Sequence, residues 1–198
     1  MFEHIVPILN NNIGNVLTEE LIFGIVASLH KAHSSNSINV QDIPPAECGD
    51  YSIQVERIED VLSELKPLHV AHWQETERYR HGIPLNPDYN YMINAERNGR
   101  FLLFTVRIDG VLVGNMMLYI SRSTHTQNWV AEEDTMFILE EHRKGRLGVR
   151  LIQYGEEILR NLGITEVRVT VKTVNNVGRL LSHLGYTHAA NQFIKTLE

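Results

Sequence analysis

Cysteine is almost absent from this chain, since Cys48 is the only one among 198 residues. A single thiol excludes an intramolecular disulfide framework and a cysteine-rich zinc site, and it favours a reducing compartment. Long apolar runs are missing too: the longest, Leu21 to Leu29, is far shorter than the ~20 residues that span a bilayer. The first residues also lack the basic segment of an export signal. We therefore expect a cytoplasmic protein with no membrane partner.

Positive charge is in short supply. The chain has 18 lysines and arginines against 24 aspartates and glutamates, a formal net charge of -6. This acidic balance argues against nucleic acid as a partner and favours cationic ones. Two common phosphate-binding motifs, G-x-x-x-x-G-K-[ST] and G-x-G-x-x-G, are absent. The hydrophobic share of 43% is ordinary, and a chain of this length can bury a substantial core as one globular domain.

Residues 1–50 differ in pattern from the rest of the chain. Thr18 followed by two glutamates is typical of a helix N-cap, and apolar residues then recur at helical spacing from Leu21 to Leu29. A stretch rich in serine, asparagine and proline follows up to Asp50, as in a linker. We predict an N-terminal helical arm on a tether, residues 1–50, ahead of a domain at 51–198. The arm either packs on that domain or pairs with a second copy to form a homodimer, and both alternatives stay open.

The first half of the predicted domain begins with a strand at Tyr51 and continues in a helix from about Glu59 to Tyr79, stepped at Pro67. A second, short helix ends near Arg97. Two runs rich in β-forming residues then flank Asp109-Gly110, the preferred chemistry of a two-residue hairpin turn.

The second half alternates strand and helix. The predicted elements are a strand from Trp129 to Leu139, a helix from Arg146 to Leu162, a strand through Val167, Val169 and Val171, a short helix capped by Asn175 or Asn176, and a last strand from Thr187 to Leu197. Hairpin strands that feed a strand–helix–strand crossover predict a mixed, mostly antiparallel α/β sheet flanked by helices, with the N-terminal helical extension attached.

The turn before the Arg146–Leu162 helix carries the clearest chemical signal. It holds two glycines, Gly145 and Gly148, and a basic cluster that includes Arg143 and Lys144. The first amides of a helix have no internal partner, the helix dipole adds positive charge there, and glycine lets a phosphate approach the backbone. The turn therefore suits a pyrophosphate. A plain strand–helix turn with a solvated basic face is the alternative from the local pattern alone.

This strand, turn and helix, together with residues 175–186, resemble the GNAT superfamily of N-acetyltransferases. The signature of that family is Gln/Arg-x-x-Gly-x-Gly/Ala between its fourth strand and third helix. Arg143 matches the first position and Gly148 the last, whereas Arg146 replaces the first glycine and Gly145 stands one residue earlier. The shifted turn is also similar to acetyltransferase-like proteins of phage genomes. The resemblance extends over about Tyr51 to Leu197.

The resemblance implies a site for acetyl-CoA in a V-shaped opening between the fourth and fifth strands. Pantetheine would lie along Phe137, Ile138 and Leu139, and a strand amide would polarise the thioester carbonyl. The pyrophosphate would lie on the amides of the turn and the helix start: Lys144, Gly145, Arg146, Leu147, Gly148 and Val149. Arg143, at the first signature position, is also implied to bind the cofactor. Asn175 or Asn176 would touch the cofactor arm, with helix capping as the alternative.

The implied chemistry is direct attack of an amine on the thioester. An amine with a pKa of about 10.4 needs a base, and Glu132, Glu133 and Asp134 lie where family members place one. Strand alternation would turn Glu133 away from the other two, and the pattern does not choose a side. The family's acid tyrosine corresponds to Leu181 here. A non-catalytic acyl-CoA-binding or structural protein of the same fold is therefore the alternative to an acetyltransferase.

The helix after the first strand supplies the candidate acceptor wall. His72, Trp73, Glu75 and Tyr79 form a polar and aromatic stretch in a region that family members use to line the acceptor site. Its acids and rings suit a cationic amine, belonging either to a small molecule or to a protein. His69 and His72 lie three residues apart, but no third ligand is fixed by spacing, so we expect no metal site.

Overall fold

The structure is a computed structural model. It describes residues 7, 10–16, 18–34, 38, 40–77, 84–174 and 177–195. Three residues predicted to belong to the site, Tyr79, Asn175 and Asn176, lie outside the described residues.

A six-stranded sheet with the strand order β1-β2-β3-β4-β5-β6 forms the centre of the fold. Each pair of neighbours is antiparallel except β5 and β6, which run parallel. The mixed, mostly antiparallel sheet predicted from the sequence is therefore confirmed. The strands are β1 (Ala46–Cys48), β2 (Tyr51–Glu56), β3 (Phe101–Ile108), β4 (Val111–Arg122), β5 (Trp129–Ile138) and β6 (Glu166–Arg168).

Five helices accompany these strands in the described part of the chain: α1 (Glu19–Ser34), α2 (Ile58–Thr76), α3 (Tyr89–Arg97), α4 (Leu147–Asn161) and α5 (Val177–His183). The Thr18 hydroxyl accepts a hydrogen bond from the amide of Leu21 at 3.2 Å, as expected of an N-cap. Gly163, just beyond α4, has a φ of +78°, which glycine adopts at little cost. Both helix boundaries were predicted from these local signals.

Apolar side chains cover both faces of the sheet. One core lies between the sheet and α4, where Leu102, Phe104, Leu147 and Leu151 are fully buried. The other lies between the sheet and helices α2 and α3 and contains residues such as Leu65 and Phe101. The hairpin between β3 and β4 turns at Asp109 and Gly110, both at positive φ, as the sequence predicted.

Three predictions about the helices and strands after residue 51 differ from the structure. Helix α2 runs through Pro67 as one helix, because the ring removes only one amide bond from a helix held by tertiary packing. Strand β6 ends at Arg168, and residues 187–195 of the predicted last strand pair with no other strand.

The predicted linker also carries structure. Residues 46–48 form β1, which pairs with β2. Just before it, Pro44 accepts a hydrogen bond from the Tyr154 hydroxyl at 2.9 Å. Ile38, Val40 and Ile43 pack on the α4-side core. The segment from residue 38 onward is therefore built into the sheet domain rather than leading loosely to it. Within the described chain, none of the helices combines the length and apolar character needed to cross a bilayer.

Candidate active site

Strands β5 and β6 separate partway along their length. They pair only where Val130–Glu132 lies beside Glu166–Arg168, whereas β5 continues to Ile138. The separation opens a cavity of about 440 Å³. Its walls come from the second half of β5, the turn before α4, the segment that follows β6, and the last turn of α2. The predicted site residues that line it are His72, Glu75, Glu133, Asp134, Phe137, Ile138, Arg143, Lys144, Gly145, Gly148 and Val149.

The turn at one end of the cavity has free backbone donors. Gly145 takes a φ of +61°, a left-handed conformation that reverses the chain into α4. The first hydrogen bond of the new helix runs from the amide of Arg150 to the carbonyl of Arg146 at 2.8 Å, so the amides before it have no carbonyl partner within the helix. A Cβ on Gly148 would meet only Met136 Cε, at 3.8 Å, and this leaves room at the backbone for a ligand.

Strand β5 presents a backbone edge to the cavity. The amide of Leu139 donates to the carbonyl of Val113 at 2.9 Å, on the β4 side. Backbone groups alternate in direction along a strand, so the amide of its neighbour Ile138 points toward the opening. Leu139, predicted to contact pantetheine, is half-buried between the two cores and does not line the cavity.

A β-bulge lies at the predicted carboxylates of β5. Met117 on β4 pairs with Thr135, but Leu118 pairs with Glu133, so Asp134 is an extra residue without a partner. Glu133 and Asp134 both line the cavity, as do the consecutive residues Met136, Phe137 and Ile138 beyond the bulge. Glu132 lies outside it, with its side chain 55% exposed and 3.7 Å from Arg168.

The cavity therefore joins three features of one known protein class: two splayed parallel strands, a glycine-bearing turn whose amides have no partner within the helix, and two carboxylates, of which Glu133 is half-buried and Asp134 is exposed. The family model described as the acetyltransferase (GNAT) family matches residues 58–186. The chain belongs to the GNAT acetyltransferase family. The predictions of a GNAT fold and of an N-acetyltransferase are confirmed at this level. A search of curated proteins finds no match.

Solved structures support the GNAT fold. An aminoglycoside acetyltransferase from an uncultured soil metagenomic sample, in complex with sisomicin, is similar with a TM-score of 0.61 and 16% identity over 75% of this chain and 97% of its own. A ribosomal-protein-alanine N-acetyltransferase from Brucella melitensis biovar Abortus 2308 has a TM-score of 0.58 and 17% identity, over 75% and 99% of the two chains. AAC(6')-Iy, bound to the bisubstrate analogue CoA-S-monomethyl-acetylneamine, has a TM-score of 0.57 and 16% identity, over 75% and 98%.

The two carboxylates of this GNAT cavity are harder to ionise than usual. Burial raises the pKa of Glu133 to about 7, although a hydrogen bond from the Thr170 amide and the charge of Lys172 act in the opposite direction. Burial also raises the pKa of Asp134, against a hydrogen bond from Thr135 and the charge of Lys172. A carboxylate that titrates near neutral pH is well matched to taking up a proton.

The last turn of α2 closes one side of the cavity through His72, Glu75 and Thr76. The His72 ring lies 5.4 Å from the ring of Phe137, and burial lowers the pKa of this histidine. Trp73, also predicted to belong to the acceptor wall, is half-buried but does not line the cavity.

Two residues predicted to bind the pyrophosphate, Arg146 and Leu147, do not line the cavity. The side chain of Leu147 is buried in the α4-side core, and the Arg146 side chain is exposed outside the cavity, so neither side chain lines it. Arg146 is the N-cap of α4 and Leu147 its first residue, so their backbone amides lie at the start of the helix. Among the described residues, no group of three or more metal-ligating side chains is found.

Sequence reasoning missed several residues on the far wall of the cavity. Thr170, Lys172 and Glu156 line it, but no motif marks them. Leu181 lines it at the position of the family's tyrosine and is buried. Tyr186 lines it as well and bonds to Glu156, and burial together with that carboxylate raises the pKa of Tyr186 well above its ordinary value. Only the tertiary contacts reveal this wall, because its members lie far apart in the chain.

Proposed function

We propose that this GNAT enzyme transfers the acetyl group of acetyl-CoA to a primary amine. The observation that carries the proposal is one cavity, which joins the amides at the start of α4 to the carboxylates of Glu133 and Asp134 along the edge of β5. One end suits an anion and the other suits a cation. A transferase that joins an anionic donor to a cationic acceptor needs this arrangement of charge.

The residues present fit acetyl-CoA. The amides from Gly145 to Val149 would hold the pyrophosphate, with the Lys144 ammonium beside them. Phe137 and Ile138 would contact the pantetheine along the open edge of β5. Asn175 and Asn176 stay in the proposal as contacts of the cofactor arm. When bound, acetyl-CoA supplies an activated thioester.

In this proposal Glu133 is the general base. An amine of pKa about 10.4 is largely protonated at neutral pH, so it must lose a proton before or during attack. Glu133 takes that proton, a C–N bond forms at the acetyl carbon, and the C–S bond breaks. The amide of Ile138 points to the side where the developing oxyanion would lie. The thiolate, of pKa about 8.5, can leave without an acid at the position of Leu181.

The acceptor in this proposal is a cationic amine of a small molecule or of a protein. Glu133 and Asp134 place negative charge in the half of the cavity that is away from the pyrophosphate turn. The similar structures include one with sisomicin and one named for ribosomal-protein alanine, so both acceptor classes occur on this fold. A cytoplasmic location, in keeping with the free thiol of Cys48, is part of the same proposal.

A specific observation favours one alternative. Leu181 is buried in the cavity where the family has its acid tyrosine. A GNAT-fold protein that binds acyl-CoA without turnover, acting as a binding or structural protein, would tolerate this loss of a hydroxyl.

Thermal unfolding with and without acetyl-CoA tests the donor site, and release of CoA with a panel of amines tests turnover. Acetyl-CoA at a hundred times its dissociation constant should stabilise the fold by about 2.7 kcal/mol. Stabilisation together with amine-dependent CoA release supports the acetyltransferase. Stabilisation without release by any amine supports the binding protein. The absence of any shift in a folded sample would contradict both.

A further inference from the structure

The side chain of Arg143 is held on two sides in the cavity wall. Its Nε donates to the carbonyl of Ile138 at 2.7 Å. Its Nη1 and Nη2 donate to the two carboxylate oxygens of Glu75 at 2.8 and 2.6 Å. The guanidinium also lies 5.1 Å from the centroid of the Phe137 ring. One arginine therefore links strand β5 to the last turn of α2.

Glu75 occupies the two Nη groups of Arg143, through which a guanidinium binds anions. Arginine binds a phosphate best through two parallel N–H groups, and Glu75 already accepts from both of those nitrogens. A pyrophosphate at the turn would have to compete with that carboxylate. Lys144, the next residue, also lines the cavity, and within the described residues it forms no ion pair. The amides of α4 and this lysine can hold the anion without Arg143.

Arg143 connects the edge of β5, where the thioester is proposed to lie, to the proposed acceptor wall on α2. Ile138, whose carbonyl Arg143 holds, turns its amide toward the proposed position of the thioester. Glu75 belongs to the proposed acceptor wall. Two residues further along, Glu77 pairs with Lys172 at 2.6 Å, on the opposite wall of the opening. The end of α2 is thereby fixed to both walls of the cavity.

We propose that Arg143 is a positioning residue, which aligns Ile138 and the α2 wall through Glu75 and does not bind the pyrophosphate. The inference rests on the proposed use of acetyl-CoA. Arg143 occupies the first position of the family signature, and the role assigned to it here is to hold other parts of the protein in place. The phosphate-binding role falls to Lys144 and the backbone.

The test measures the affinity of each protein for CoA and for pantetheine, which lacks the pyrophosphate. The proteins compared are wild type, Arg143→Ala, Arg143→Lys, Glu75→Gln and Lys144→Ala. Arg143→Ala and Glu75→Gln each remove the partly exposed Arg143–Glu75 ion pair, which should lower the affinity for CoA and for pantetheine by about two- to fivefold. The ratio of the two affinities should stay within about twofold of the wild-type ratio. Arg143→Lys keeps the charge but loses the planar guanidinium that donates two parallel hydrogen bonds, so it should behave as Arg143→Ala. Lys144→Ala should lower the preference for CoA.

Glu59→Gln is the matched control, because it breaks another exposed arginine–glutamate pair, Arg97–Glu59 at 2.6 Å, whose members do not line the cavity. It should leave both affinities unchanged. The inference is overturned if Arg143→Ala lowers the preference for CoA by about tenfold or more and Arg143→Lys restores it, as a direct charged contact requires. Should the Arg143 variants not fold, a changed ratio in Glu75→Gln overturns it. Wild type that binds pantetheine but not CoA, or neither, would overturn the proposed function itself.

Discussion

The amide of Thr170 donates a hydrogen bond to Oε2 of Glu133 at 3.3 Å, across the gap where β5 and β6 no longer pair. This carboxylate therefore reaches from one wall of the cavity to the other. Its burial leaves it with a pKa of about 7. Position and acidity together are the reasons for proposing Glu133 as the general base.

We expect activity to follow the ionisation of Glu133. For acetyl transfer to an amine acceptor found in the screen, kcat/KM should rise with pH through about 7, because only the carboxylate can accept a proton. Glu133→Gln should lower kcat by about a hundredfold or more and remove that step from the pH profile. Glu132→Gln is the control, since Glu132 lies outside the cavity, and it should keep the wild-type profile. An unchanged profile in Glu133→Gln would exclude Glu133 as the base.

The same group should also affect stability. The pKa of Glu133 is raised in the folded chain from 4.5 to about 7, so the unfolded state releases its proton first. The free energy of unfolding should therefore decrease as pH rises between these two values and level off above them. Glu133→Gln should show a smaller decrease over this interval in denaturant titrations. An equal decrease in both proteins would contradict the raised pKa.

A carboxylate placed at the helix start should block the donor site without unfolding the protein. Gly148→Asp puts a negative charge where the pyrophosphate is proposed to bind, while acids near a helix N-terminus stabilise the helix itself. We expect the Tm of the free protein to stay close to wild type and the stabilisation by acetyl-CoA to disappear. Gly148→Ala is the control, because its Cβ would make only an ordinary contact with Met136, at 3.8 Å. Full stabilisation of Gly148→Asp by acetyl-CoA would rule out binding at this turn.

Tyr186 should not replace the missing acid tyrosine. Its hydroxyl bonds to Glu156, and its pKa is raised above the ordinary value, so donating a proton to a thiolate of pKa about 8.5 is strongly uphill. Tyr186→Phe should therefore change kcat by less than about threefold. Steady-state rates across pH 6–10, roughly the range in which thiolate and phenol titrate, check this expectation. A decrease of about a hundredfold in kcat, together with loss of the decline in rate at alkaline pH, would instead assign proton donation to Tyr186.

The arm is predicted to mediate self-association. Ile22, Phe23 and Val26 of α1 are exposed to between 43% and 77%, an apolar surface that a second copy could bury. Deletion of residues 1–34 should lower the apparent mass in light scattering from a dimer to a monomer. This cut keeps Ile38, Val40 and strand β1, which pack on the sheet domain, whereas deletion of residues 1–50 would remove them. The same number of copies per assembly in the full and shortened chains would refute the prediction.

Local signals predicted many of the elements. The Asp109-Gly110 hairpin, the Thr18 cap and the end of α4 at Gly163 depend on residues close in sequence, and the structure has all three. A last strand was predicted from Thr187 to Leu197, but residues 187–195 pair with no strand in the described part of the chain. Strand formation needs a partner edge, and a partner is not a local property.

The sequence by itself determined the family, the order of most elements and the glycine-bearing turn, because turn chemistry and helix starts depend on neighbouring residues. Only the tertiary structure decided which groups face the cavity. Glu133 and Asp134 line the cavity and Glu132 does not, and Asp134 is the extra residue of a bulge whose position depends on how β5 pairs with β4. Arg143 reaches Glu75 across 68 residues of chain, a contact that no spacing rule can indicate. Such contacts follow from packing of the whole fold, which brings distant parts of the chain together.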